Sequence, residues 1–108
     1  MRIWFPIPPL CLDRQRLLGE HRELHAIWSI LCQNRAGYRN HPEVKRWIDR
    51  LDRLYERHEH LVSEMTRRGY YHKSLLIPIG YTSEWPNTWE TIEMMRLKLA
   101  EKQGVEPK

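Results

Sequence analysis

A chain of 108 residues that is 41% hydrophobic makes one small domain, able to bury a modest core without disulfides. Cys11 and Cys32 stand in no Cys/His ligand spacing and read as ordinary thiols of a reducing compartment, and no apolar run approaches the ~18 residues of a membrane span. The net charge of +4 is uneven: residues 1–83 carry fourteen Lys/Arg against nine Asp/Glu, and residues 84–108 carry four against five.

The basic part is dominated by arginine, whose guanidinium suits bidentate phosphate contacts, so nucleic acid is a natural partner. A solvated helical surface with a slight positive excess accounts for the same numbers. Met1 to Pro6 is too short and too proline-broken for a signal h-region, which together with the thiols points to a cytoplasmic protein.

Residues 1–12 contain Pro6, Pro8 and Pro9, and each proline disfavours helix at its predecessor, so an extended amino-terminal arm is expected. Asp13 can cap a first helix running to about Gln33, with Asn34 to Gly37 as its exit. Leu17, Leu24, Trp28 and Leu31, widened by Leu18, Ile27 and Ile30, form its core stripe. On the neighbouring face Arg16, Glu20 and Glu23 align, and Arg22 projects to one side. Surface Glu–Arg pairs are the plainest reading of that face. Gly19 costs roughly 1 kcal/mol against alanine in a helix interior, which suggests close approach of another segment, here the amino-terminal arm.

Asn40 can cap a second helix, with Pro42 in its first turn, running to about Arg68 and jogged near Asp49 to Asp52. Val44, Ile48, Leu51, Tyr55, His58, Val62 and Met65 form its stripe, with Trp47, Leu54 and Leu61 beside them. Gly69 ends it as a C′ residue, and Arg67 and Arg68 suit the helix dipole or a phosphate equally. Irregular structure is expected from Tyr70 to Asn87, with a short extended piece at Leu75 to Ile79. A third helix runs from Trp89 to about Lys102, capped by Asn87 or Thr88, with Ile92, Met95 and Leu99 inward and Gly104 as terminator. The expected architecture is a single all-α domain of three main helices: arm 1–12, helical body 13–102 and a frayed tail 103–108.

No phosphate-binding glycine loop is present, which leaves nucleotide cofactors without support. His21 and His25 are four apart on one helical face, a spacing compatible with zinc and with a metal-dependent hydrolase. The motif is H-x-E-x-H and not H-E-x-x-H, and the sequence fixes no third ligand, so no metal or cofactor is expected. His58 falls in the core stripe and is expected to be a buried, hydrogen-bonded histidine.

Three segments carry a resemblance. Met1-Arg2-Ile3, Glu20-His21-Arg22-Glu23-Leu24, and Tyr55 to Tyr70 ending in Glu64-Met65-Thr66-Arg67-Arg68-Gly69-Tyr70 resemble the pyrimidine-dimer DNA glycosylase/AP lyase family. Gly37-Tyr38-Arg39-Asn40-His41-Pro42 is similar to its cellular branch. The resemblance implies an all-α DNA repair enzyme whose N-terminal α-amine attacks the deoxyribose carbon bearing the damaged base, forms an imine and permits strand cleavage by β-elimination. That amine falls to Met1, because the bulky Arg2 blocks removal of the initiator methionine. An α-amine titrates ordinarily near ~7.7–8.0, so a neutral fraction is present at physiological pH.

By the same carry-over Glu23 is the essential carboxylate and Arg2 and Arg22 contact DNA, while Glu20 on the same face reads as structural. Arg14, Arg16, Arg39, Arg46 and Arg50 are candidates for phosphate contacts that give affinity without sequence preference. The implied partner is double-stranded damaged DNA, bent and with an extruded base, bound by a monomer without cofactor. The chain departs from the family at Ala26, where the family has a further arginine. It also lacks the family's aromatic-rich basic C-terminal stretch, for which Tyr70, Tyr71, Trp85 and Trp89 are the available aromatics. A non-catalytic DNA-binding module with the same fold is the alternative function.

Overall fold

Asp13 starts the first helix as expected: its Oδ1 accepts from the Arg16 N–H at 2.8 Å. In the computed structural model, which describes residues 2–33, 40–71 and 75–104, this helix is α1 (Arg14–Gln33). It is followed by α2 (Pro42–Arg46), α3 (Leu51–Arg67) and α4 (Ile92–Gln103). The fold is all-α, with three long helices and no strand among the described residues. None of these helices is long and apolar enough to cross a membrane. The exit at Asn34 to Gly37 lies outside the described residues.

The buried stripe of α1 is Leu17, Leu24, Ile27 and Ile30, while Leu18, Trp28 and Leu31 pack partly buried at its edges. It faces α3, which contributes Leu54, Leu61 and Met65. The expected second helix is in fact two. The jog is a full break over Trp47 to Arg50, where Asp49 has φ 60°, the left-handed region that interrupts a helix. The break shifts the stripe, so Ile48, Leu51, Tyr55 and Val62 are only partly buried. The cap of α2 is His41 and not Asn40: the His41 Nδ1 accepts from the Glu43 N–H at 3.1 Å, with Pro42 following it.

At the other end of α3 the expectation holds. Gly69, at φ 84°, follows the C-cap Arg68, and the Tyr70 N–H donates to the Met65 carbonyl at 2.8 Å while that of Gly69 donates to Thr66 at 3.0 Å. These two bonds make a Schellman motif. Residues 75–91 are irregular, without the extended piece at Leu75 to Ile79 forming a strand. The last helix starts later than expected because Thr91, not Asn87 or Thr88, caps it, its hydroxyl accepting from the Met94 N–H at 3.2 Å. Met95, Leu99 and Ala100 are buried, whereas Ile92, expected to face inward, is 40% exposed. Gly104 closes α4 in the left-handed conformation.

The arm is not simply extended. A turn across a cis Phe5–Pro6 bond is closed by the Ile7 N–H donating to the Trp4 carbonyl at 2.8 Å, and Pro9–Cys11 form one 3-10 turn. Ile3, Trp4, Ile7 and Leu12 are buried. The arm is therefore part of the core, wedged among the helices.

Candidate active site and nucleic-acid interface

Two buried carboxylates hold the arm, and both bind its backbone. The Trp4 N–H donates to Glu20 Oε1 at 2.9 Å, and Arg57 of α3 donates to the two oxygens of the same carboxylate at 2.6 and 3.1 Å. A third Arg57 donor reaches the Ile7 carbonyl at 2.9 Å. Glu20 is therefore structural, as expected, but through a buried bidentate pair across α1 and α3 and not through a surface pair with Arg16.

Glu43 of α2 is the second anchor. It accepts from the Ile3 N–H at 3.0 Å, Arg46 at 2.8 Å, the Trp47 indole at 3.3 Å and the Trp89 indole at 2.6 Å. Arg46 also donates to the carbonyls of Ile3, Phe5 and Asn87. Burial pulls its guanidinium below the ordinary pKa, against the opposing pull of Glu43. Arg46 was expected at the DNA backbone; it is 8% exposed with its donors engaged inside the protein, so it belongs to the arm's clamp. Among the described residues no buried side-chain polar atom lacks a hydrogen-bond partner.

Arg2 sits at the rim of this clamp. It pairs with Glu90, and its guanidinium lies 4.6 Å from the Trp4 ring centroid and 4.9 Å from that of Trp89. Burial raises the Glu90 carboxyl, but Arg2 and Lys98 outweigh it and hold the pKa below the ordinary value. Trp85 stacks on Phe5, with ring centroids 4.6 Å apart, beneath the guanidinium of Arg53. Both tryptophans are thus committed to the arm and its surroundings, while Tyr71 is 84% exposed.

Glu23 lies one helical turn after Glu20, half-buried, and no described residue pairs with its carboxylate. Arg22 is exposed and shares a shallow surface depression with Arg14, Gln15 and Leu18. No described residue of the arm comes close to Gly19: among the described residues an added Cβ would meet the Arg22 guanidinium, at an ordinary 3.9 Å. Arg16 is partly engaged, donating to the Lys102 carbonyl at 2.7 Å and to Gln15. Arg50 donates to the Glu84 carbonyl at 3.0 Å beside a second depression that includes Lys45 and Trp89. Met1 and Arg39 lie outside the described residues.

The two arginines that end α3 resolve toward structure. Arg67 and Arg68 both pair with Glu64, at 2.5 and 2.6 Å, and Arg68 also donates to the Leu12 carbonyl at 2.6 Å. The hydrogen bonds from Arg67 and Arg68 lower the Glu64 carboxyl to about 2.

Sequence reasoning missed Glu43, Arg57 and Glu90. The i, i+3 spacing of Glu43 and Arg46 was a visible signal for one pair, whereas the partners of Glu20 and Arg2 come from distant elements and leave no local trace. Compared with known proteins, a family model described as pyrimidine dimer DNA glycosylase matches residues 1–78, the stretch that holds the arm, α1, α2 and α3. No curated protein and no solved structure matches the chain. With most of its length under that match, the chain belongs to the pyrimidine dimer DNA glycosylase family.

Proposed function

We propose that the chain is a DNA repair glycosylase with AP-lyase activity, acting on damaged pyrimidines through an imine between the Met1 α-amine and the deoxyribose. The observation that carries this reading is the fastening of the arm to α1 at Glu20, one turn from Glu23, whose carboxylate pairs with no described residue. Trp4 is three residues from Met1, and three residues of chain reach at most about 11 Å, longer than the ~5.4 Å rise of the one helical turn from Glu20 to Glu23.

In this reading the amine nitrogen bonds to C1′ and the base leaves the sugar with the electron pair of the glycosidic bond. Loss of the amine proton and opening of the sugar ring give the imine. Removal of a C2′ proton then expels the 3′ phosphate by β-elimination, and water releases the amine. Glu23 stabilises the cationic sugar as it forms and carries the protons. A general acid–base group in this position contributes about 10²–10⁴-fold to the rate.

Arg22 and Arg14, exposed on α1, and Arg2 at the rim take phosphates of double-stranded damaged DNA, with Arg16, Arg39 and Arg50 further along the backbone. The protein acts as a monomer with no cofactor in the reaction, wherever the DNA resides: the cytoplasm, on the nucleoid in a bacterial or phage setting.

Borohydride reduction during incubation with abasic-site DNA tests the reading. The expected product is a covalent adduct on the Met1 peptide, identified by mass spectrometry. Glu23→Gln is expected to bind the same DNA and lose strand cleavage. DNA binding without an adduct identifies a non-catalytic module instead.

A further inference from the structure

Three imidazoles meet between α1 and α3 on the flank of α1 opposite Glu23. The Nε2 atoms of His21 and His25 are 3.2 Å apart, His21 to His58 is 3.2 Å and His25 to His58 is 3.1 Å. His58 is fully buried and the other two are half-buried.

Hydrogen bonding alone does not satisfy this triangle. Each Nε2 either carries a proton or presents a lone pair. With three atoms and two states, at least two must be alike. One of the three contacts is then proton against proton or lone pair against lone pair, whatever the tautomers and charges. A cation removes the conflict because all three nitrogens can present lone pairs to it. The spacing agrees: donors held tetrahedrally at a Zn–N distance of ~2.0–2.1 Å are about 3.3–3.4 Å apart.

A separate observation points the same way. The other ring nitrogen of His58, Nδ1, lies 3.0 Å from Glu59 Oε1. A carboxylate on Nδ1 fixes the tautomer that leaves Nε2 free to ligate and raises its basicity, the usual arrangement around protein-bound zinc.

We infer that His21, His25 and His58 form a site for a divalent transition-metal ion of the zinc class, stapling α1 to α3. Three neutral nitrogens suit zinc and its neighbours and disfavour magnesium or calcium, which take oxygen. About 200° of helical rotation separates His21 from Glu23, so the ion lies away from the proposed reaction and acts by holding the helix that carries Glu23. His21 and His25 are the i, i+4 pair visible in the sequence, and His58 is the third ligand that the sequence alone does not connect to them.

The test is direct binding of Zn²⁺ to the full chain after chelator treatment. One equivalent per chain is expected, with the thermal midpoint raised by roughly 10 °C or more at a hundredfold excess over Kd. Co²⁺ is expected to give visible bands of nitrogen ligation at low coordination number. Glu59→Gln, at an exposed position, is expected to weaken Zn²⁺ binding about tenfold without unfolding the protein. His25→Ala is expected to abolish the thermal shift. Wild-type protein that binds no Zn²⁺ above background, or an affinity unchanged in both variants, overturns the site. Should His25→Ala fail to fold, the Co²⁺ spectrum of the wild type and the affinity of Glu59→Gln decide. All these readouts are independent of DNA cleavage.

Discussion

The arm and α4 are both peripheral in sequence but are held in opposite ways. Residues 3–7 are fixed by two buried carboxylate–arginine pairs whose free valences bind the arm's own peptide groups. Helix α4 is attached by three buried side chains, Met95, Leu99 and Ala100, and by pins at its C-terminal end: Gln103 Oε1 accepts from the Asp13 N–H at 2.7 Å, and Arg16 donates to the Lys102 carbonyl. Its other face leaves Ile92, Met94 and Leu97 40% or more exposed. The arm cannot move without exposing charge to an apolar interior, whereas α4 can loosen at the cost of a few apolar contacts. The stretch matched by the family model contains the arm and ends at residue 78, before α4.

The sharpest way to break this contrast is to remove one partner of the clamp. Glu20→Ala or Arg57→Met leaves the other charge buried, and urea unfolding is expected to show a loss of about 3–5 kcal/mol. An intact midpoint in either variant would mean that the arm is not held electrostatically.

Acid should act next, through Glu64, which joins α3 to the end of the arm by way of Arg68. Its folded pKa of about 2 lies below the ordinary carboxylate value of 4.5, so the folded state binds the proton less well than the unfolded chain. The stabilisation is complete above the ordinary value and is lost as pH falls from there toward about 2. Thermal melts across that range should show a steeper acid loss for the wild type than for Glu64→Gln.

On the α4 side the expected effects are smaller. Thr91→Ala removes the cap and should cost about 1 kcal/mol, visible as faster amide exchange within α4 while α1 and α3 keep their protection. The smallest effect has the opposite sign. Gly19→Ala adds a methyl in ordinary contact distance and should stabilise by up to about 1 kcal/mol in the same urea assay.

What the sequence disclosed follows the range of the interactions. The span of α1, its Asp13 cap, the Gly69 terminus of α3 and the Gly104 terminus of α4 rest on contacts within a few residues and could be read directly. The jog near Asp49 was legible as well, but not that it is a full break, because an aspartate in the left-handed region is permitted and not required. Thr91 displaced the expected caps because Asn87, Thr88 and Thr91, all of similar capping ability, stand within five residues. Glu20 and Arg46 look alike as surface charges in a helical pattern; only the arm folding over them makes one a buried brace and the other its counterpart on α2. The motif singled out the face of α1 bearing Glu20 and Glu23, but that Glu20 is a buried brace depends on Trp4 and Arg57.

The arm's anchoring through peptide N–H groups has a practical consequence for preparing the protein. The hydrogen bonds at residues 3 and 4 use only the peptide N–H and so exclude proline, which has no hydrogen to donate, while packing fixes the buried Ile3 and Trp4 side chains. They also leave the anchoring indifferent to what is fused ahead of Met1. On the proposed mechanism, an affinity tag there should give a protein that folds and binds DNA but is inactive, its Met1 nitrogen locked in an amide. Cleavage that regenerates a free amine at Met1 should switch the same preparation on.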